Sequence, residues 1–406
     1  MSSPYRELFA MPGTRGFVVA GFLARVSMSM NGLGIVLLLS EVTGSYGVAG
    51  AVAATEALAT AVAAPQIGRI VDRHGQRRVL LPVAGVHGAA LAALMVCAEL
   101  GAAYWTLFLA AAVAGVAYPV VGALVRVRWS HLLGGGRRLE TAFSLESVLD
   151  EVVFVTGPVV VTVLATQVHR LSGLSVAGLL TVTGSVAFAL QRRTEPPAGR
   201  RSAGSGRTVI GTPGFAPLTL VFLGMGTVFG SLEVTVVAFS EEQDARAAAG
   251  AVLGLQALGS LVAGLAYGAR HWSTPIDRRF RIGLLGFAAG LLPLVLMPNV
   301  PALAVVIFLG GIAISPTLIP GFGLIERLVP PHARNEGFAW VTTAIGVGLA
   351  AGAPIAGRVV DAAGGRPAFL VPVAAGLLAA LVGVMASRRL KLGPPHRPVD
   401  ADNEPE

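Results

Sequence analysis

Twelve apolar stretches, each about long enough to cross a bilayer, constrain this chain more than any other feature. Lipid leaves every backbone N–H and C=O to be satisfied within the segment, so a spanning helix needs about 20 predominantly apolar residues. The stretches cover residues 17–39, 47–70, 79–98, 103–126, 142–165, 171–190, 215–238, 247–268, 282–297, 301–324, 338–359 and 367–387. The ninth is short and stops at Met297-Pro298. Charge agrees with this reading. Only 13% of the 406 residues are charged while 54% are hydrophobic, and the mean hydropathy is +0.73. A soluble domain carries about 25% charged residues. So few charges cannot cover a water-facing surface, which excludes a soluble enzyme, a disordered chain and a disulfide-rich secreted module. Cys97, the single cysteine, cannot form an intrachain disulfide. The expected fold is all-α and integral to the membrane, and 52 glycines suit closely packed spanning helices.

The formal net charge, 30 − 22 = +8, is an orientation signal. With the N-terminus in the cytoplasm, the inside segments hold 25 basic residues and the outside segments four, namely Arg170, Arg246, Arg358 and Arg366. Arg25 lies within the first span and completes the thirty. Because basic loops stay on the cytoplasmic side, both termini are expected there. A nucleic-acid partner is not expected, since no basic stripe with interleaved aromatics occurs. Neither is a cleaved signal, because Arg25 interrupts the first apolar run and no small-residue cleavage pattern follows.

Residues 191–214, rich in Arg, Gly, Pro and Ser, divide the spans six and six and read as a solvated, flexible linker. The expected organisation is a cytoplasmic N-terminus (1–16), a six-helix bundle (17–190), the linker (191–214), a second six-helix bundle (215–388) and a disordered cytoplasmic tail (389–406). Gly68 pairs with Gly264 and Pro158 with Pro354 at one offset, 264 − 68 = 354 − 158 = 196, and Pro119 pairs with Pro316 at 197. These echoes suit a transporter built from repeats.

Between the second and third spans lies Gly68-Arg-Ile-Val-Asp72-Arg73-His-Gly75-Gln76-Arg77-Arg78. Gly68 permits close helix approach and Gly75 a left-handed turn, while Asp72 is an anion at a helix end and needs a partner. The run resembles the signature loop of the major facilitator superfamily, G-x-x-x-D-R-x-G-R-R, with Gln76 at a position usually basic. Loop position, sidedness and layout agree with a twelve-span member of its bacterial efflux-like branch. The resemblance implies two six-helix bundles around a central cavity. It also implies that Gly68, Asp72, Arg73, Gly75, Arg77 and Arg78 latch the cytoplasmic side. Asp72 would meet Arg126 or Arg128 at the end of the fourth span, or the start of the eleventh near Gly337. Efflux patterns elsewhere are degraded. Ala111 stands where an Arg is usual in mid span four, and Gly157-Pro158-Val-Val-Val161-Thr162 keeps only the Gly-Pro of the span-five pattern, a helix bend.

A charge at a helix centre costs about 2.5–3.5 kcal/mol on insertion scales. Arg25, Glu56, Glu146, Asp150, Glu151 and Glu233 should therefore line the interior, pair or protonate. At about 100° per residue, Glu146 and Asp150 are about 40° apart with Gly157 between them, and Glu151 points about 100° from Asp150. Close carboxylates suit proton pick-up. The competing reading pairs Glu146 with Arg77 or Arg138. With no Arg in mid span four, Arg25 reads as the only deep fixed cation, and it would pair with Asp150 or Glu56, or contact an anionic substrate. Arg25, Glu56, Glu146, Asp150 and Glu233 are the candidates for proton coupling or the cavity, with Asn31 and Tyr118 as further polar groups. His87 reads as a packing residue.

No H-E-x-x-H, G-x-x-x-x-G-K-[ST], C-x-x-C or G-x-S-x-G occurs, so neither an enzyme, a cofactor nor a metal site is expected. The expected function is a secondary active transporter exporting a small amphipathic organic compound against protons by alternating access. A sugar or metabolite facilitator or importer, and a non-transporting scaffold or sensor, are the alternatives. The expected setting is a monomer, multi-pass in the inner cell membrane, with a small-molecule substrate, protons and the bilayer as partners.

Overall fold

In the computed structural model, residues 4–44, 46–198, 209–245 and 248–386 are described, and every regular element among them is helical. A short helix, α1 (Pro4–Ala10), precedes the first half. Its spans are α2 (Thr14–Val26) with α3 (Asn31–Thr43), α4 (Tyr46–His74), α5 (Gln76–Glu99), α6 (Tyr104–Val116) with α7 (Val121–Leu133), α8 (Gly136–Val163) and α9 (Ser172–Ala189). The second half holds α10 (Phe215–Glu242), α11 (Ala249–Ala269), α12 (Ile276–Leu291), α13 (Val300–Gly311) with α14 (Ile314–Leu328), α15 (Arg334–Ala363), and α16 (Gly365–Ala368) with α17 (Leu370–Met385). Together they form twelve helical segments long and apolar enough to cross a membrane.

Several spans outrun their apolar stretches through charged turns. The fourth continues past Arg126 to Leu133, the fifth begins at Gly136, and the ninth begins at Ile276 and reaches Leu296. Hydropathy misses these turns because it scores Arg126, Arg128, Glu140 and Arg279 as solvated loop charges, whereas packing pairs and covers them. Spans one and four break where α2 meets α3 and α6 meets α7, the second at Pro119, whose missing N–H cannot continue the ladder. α8, by contrast, runs unbroken through Pro158 to Val163.

The linker is docked at both ends. Thr194 and Val209 are buried, which corrects the expectation of a tether solvated throughout. Its middle, 199–208, and the tail, 389–406, lie outside the described residues.

Small residues set the closest approaches. Gly226 and Gly230 on α10 lie against Ile345 and Leu349 of α15, while Gly348 and Gly352 of α15 lie against Leu223 and Thr227 of α10. Interlocking glycines one turn apart bring two backbones into contact, which supplies dispersion where lipid provides no hydrophobic drive. Aromatic pairs fill the remaining core: Phe17 meets Trp129 edge-on at 4.8 Å in the first half, and Phe239 meets Phe369 at 5.6 Å in the second.

Candidate functional site

The halves are joined at the end of the bundle that carries residues 191–198 and 209–214, the linker side. Gly75, at φ +89°, is the only residue between α4 and α5, a backbone angle that L side chains rarely adopt. This turn leaves Asp72 facing the start of α15. One Asp72 oxygen accepts from the Asn335 backbone N–H (3.2 Å) and side-chain amide (2.6 Å), and the other from the Glu336 N–H (2.9 Å). The first N–H groups of a helix have no partner inside it and carry the positive end of its dipole. Asp72 therefore caps α15 from the opposite half. Of the partners expected for it, the start of span eleven is the one observed; Arg126 and Arg128 are engaged elsewhere. Gly68 makes the approach possible, since a Cβ there would stand 2.8 Å from the Asn335 carbonyl oxygen and 3.0 Å from the Glu336 Cα. Arg69 pairs with Glu336 at 2.8 Å.

Arg73 and Arg78 are exposed and Arg77 half-buried, its backbone N–H donating to Glu195 of the linker at 2.8 Å. Gln76 is buried. Its amide oxygen accepts from Arg128 Nε (2.8 Å) and its NH2 donates to the Leu124 carbonyl (3.2 Å) and to Asn335 (3.4 Å). Arg128 in turn donates to the Gln191 and Phe188 carbonyls and to Thr194, with its guanidinium 3.8 Å from the Phe188 ring centroid. A neutral Gln suits this place, where a second guanidinium would face Arg128.

A second crossing joins α8 to α11. Ser144 donates to the Gly264 carbonyl, Thr141 to the Gly268 carbonyl at 3.0 Å, and Glu140 holds Arg279 by two bonds of 2.6 and 2.8 Å. Tyr5 of α1 bridges both halves through Ser144 (3.2 Å) and the Leu265 carbonyl (3.0 Å).

Deeper in the first half sits a cluster of four charges. Arg25 reaches Glu146 at 2.5 Å and Asp150 at 2.6 Å; Arg126 reaches the other Asp150 oxygen at 2.6 Å; the Trp129 indole N–H donates to Glu146 at 2.8 Å. Glu146 is fully buried and Arg25 nearly so. Two cations meet two anions, so the cluster is neutral as a whole, which is what makes it tolerable away from water. Its partners correct two expectations. Glu146 lies ten residues into α8, about 15 Å at 1.5 Å per residue, beyond the reach of loop arginines, and pairs with Arg25 rather than Arg77 or Arg138. Arg25 is not the sole deep cation, because Arg126 is buried beside it. Arg126 also stacks over the Phe322 ring of α14 at 4.2 Å, reaching into the second half.

Gly157 lies where α8 crosses the break in span one, and a Cβ there would collide with the Ser29 hydroxyl. The remaining acids stand apart from the cluster. Glu56 of α4 is buried beside Asn31, with Tyr118 near and His87 edge-on to Tyr118 at 5.3 Å. His87 is buried with its Nδ1 2.8 Å from the Ala114 carbonyl, as expected of a packing residue. Glu233 is exposed. It lies within about 40° of Phe222 and Phe229 around the helix, and these pack inward on Phe322 and Phe287. Glu233 thus lies on the side of α10 from which these two rings reach α14 and α12. Among the described residues no group of three or more His, Cys, Asp or Glu side chains converges as a metal site would.

Sequence reasoning missed Asn335, Glu336, Gln76, Trp129 and Glu140 as partners. Their one advance signal is polarity at the mouth of a span, as in Arg334-Asn335-Glu336 before the eleventh apolar stretch.

The family model described as Major Facilitator Superfamily matches residues 17–282 and 275–405. No curated protein matches the chain in sequence. Among solved structures, the chain is similar to a bacterial homologue of the iron transporter ferroportin in the outward-facing state (TM-score 0.72, 19% identity, 93% of this chain and 100% of that one). It is similar also to the human organic anion transporter MFSD10 (TM-score 0.72, 16% identity, 92% and 100%). A third is the major facilitator transporter FucP in the outward conformation (TM-score 0.69, 13% identity, 93% and 99%).

Proposed function

The chain belongs to the major facilitator superfamily, a family of membrane transporters, and on that premise we propose that it exports a small amphipathic organic compound in exchange for protons. The observation that carries this reading is the pairing of a closed linker side with acids buried at mid-span. The bonds of Asp72, Glu140 and Ser144 across the halves must break for that side to open. Such contacts suit one member of an alternating pair, with the latch residues Gly68, Asp72, Arg73, Gly75, Arg77 and Arg78 holding the cytoplasmic side shut. The linker side is cytoplasmic in this reading, and the chain works as a monomer in the inner cell membrane.

Arg25, Arg126, Glu146 and Asp150 form the fixed charge frame, while Glu56, Glu151 and Glu233 are the acids left outside it for protons or substrate. The similar solved structures include a homologue of an iron transporter and an organic anion transporter. Substrate choice therefore rests on this chain's own side chains, and its apolar, small-residue helices suit an amphipathic organic compound. Import or facilitated passage of a metabolite is the second reading, favoured by Ala111 and by Val161-Thr162 at places where efflux patterns are absent.

A growth-inhibition and accumulation panel in cells with and without the gene, run with and without an uncoupler, tests the proposal. Export predicts lower accumulation of at least one amphipathic compound in expressing cells, lost on uncoupling. Higher accumulation in expressing cells, or uncoupler-insensitive transport, overturns it.

A further inference from the structure

We propose that Glu151 is the acid that reads the proton and reports it to the contact between the halves, through a hydroxyl relay formed by Ser260 and Ser315. The proposal deepens the proton-coupled reading and rests on it.

Glu151 stands on α8 one residue beyond Asp150, yet the two differ in surroundings. Asp150 is held by Arg25 and Arg126 in a cluster whose charges already cancel. Glu151 instead accepts a hydrogen bond from Ser260 of α11 at 2.6 Å, and Ser260 lies 2.9 Å from Ser315 of α14. Glu151 belongs to the first half; both serines belong to the second and are fully buried. The carboxylate itself is half-buried, so protons can reach it. It continues the stripe Thr141, Ser144, Val148 on the face of α8 that meets Gly268, Gly264 and Ser260 of α11. At the linker-side end of the stripe, hydroxyls meet backbone carbonyls, and neither changes with pH. At its deep end the contact contains an ionisable group.

No other charge on the surrounding helices is placed to replace the serine. α9 and α11 carry none over their described lengths. α14 carries only Glu326 and Arg327 near its linker-side end, where Glu326 pairs with Arg334 at 2.6 Å. α7 offers Arg126 and Arg128, bonded to Asp150 and Gln76, and His131 in its last turn. α2 offers Arg25, bonded to Glu146 and Asp150. Glu41 of α3 sits toward the far end, within 3.8 Å of Arg170. Arg6 and Glu7 of α1 stay at the linker-side surface, where Glu7 meets Arg138 at 3.8 Å.

The mechanism follows from hydrogen-bond strength. An ionised Glu151 accepts a charge-assisted bond from Ser260, roughly twice as strong as a neutral one, and Ser315 can donate to Ser260 behind it. This favours contact between α8 and α11. Protonation removes the charge and with it the advantage, so the halves part more easily on the linker side. Opening there separates Glu151 from Ser260 and exposes it to the cytoplasmic solution, where it can release the proton. Phe322, two turns from Ser315 on α14, lies under Arg126, so the same helix also touches the charge frame.

The test uses spin labels on exposed linker-side positions in opposite halves, Arg138→Cys and Ser273→Cys, in a Cys97→Ser chain reconstituted in liposomes. Their separation is measured by pulsed electron resonance from pH 5.5 to 9. The expected result is a titration from a separated population at acid pH to a close one at alkaline pH. Glu151→Gln should hold the separated population throughout the range, Glu151→Asp should restore a titration, and Ser260→Ala should enrich the separated form at alkaline pH. An unchanged titration in Glu151→Gln overturns the assignment to Glu151 and leaves proton coupling standing. A parent chain with no pH response overturns both.

Discussion

Gly68 and Gly264, 196 residues apart, occupy equivalent places at the two crossings between the halves. Gly68 of α4 lies on the start of α15, and Gly264 of α11 lies on Val148 of α8 and accepts from Ser144 through its carbonyl. Each is a point where a helix of one half comes too close to the other half for an added side chain to pass unnoticed. The repeat faintly visible in the sequence thus marks the seam that must open and close during transport.

Adding a Cβ should therefore act on the equilibrium between states. At Gly68 the new atom meets the α15 backbone, which cannot swing aside, whereas at Gly264 it meets the Ser315 hydroxyl at 3.0 Å and Val148 at 3.3 Å. Overpacking costs about 1–3 kcal/mol, so Gly68→Ala should lower the closed-to-open ratio of the linker side by about 5- to 150-fold. Gly264→Ala should do so less. Alkylation rates of a cysteine placed at Ala64, on the same seam, measure this; equal rates in the parent and Gly68→Ala would contradict it.

Asp72→Asn keeps the shape of the cap and removes its charge. An anion at a helix N-terminus contributes up to about 2 kcal/mol in partly buried geometry, so the variant should weaken linker-side closure by about tenfold while folding normally. Its transport rate should fall, and its elution on size exclusion should match the parent. Full transport by Asp72→Asn would remove this cap from the latch.

The charge frame should behave as one unit. Removing one partner of a buried pair costs about 3–5 kcal/mol because the other charge is left unpaired. Arg25→Met or Glu146→Leu alone should lower the thermal unfolding midpoint markedly, and the double variant should lose less than the sum of the two. Additive losses would mean that Arg25 and Glu146 do not depend on each other.

Much of this architecture is legible in the residues. The twelve spans follow from hydropathy, and the close approach at Gly68 and the turn at Gly75 follow from glycine in a short polar loop. What the sequence conceals is which charge meets which. Asp72 could reach three partners on paper, and the choice of α15 depends on how two bundles lean together. Arg126 and Arg128 read as loop charges because no local signal says that Asp150 and Gln76 cover them. Glu146 sits where a single apolar window ends, so its depth becomes visible only when α8 is seen to begin six residues earlier than its apolar stretch.

Sidedness rests on the 25-to-4 distribution of basic residues, and a labelling experiment checks it directly. Arg138 is exposed on the linker side; Arg170 lies at the opposite end, beside Glu99 at 2.7 Å and Glu41 at 3.8 Å. Both belong to exposed pairs, whose loss typically costs about 0–1 kcal/mol, so replacing either should leave the fold intact. In a Cys97→Ser chain, a membrane-impermeant maleimide added to intact cells should label Arg170→Cys and spare Arg138→Cys until the membrane is permeabilised. The reverse pattern would place the termini and the Asp72 latch outside the cell. The closed side would then be the outer one, while the direction of exchange would still follow the proton gradient.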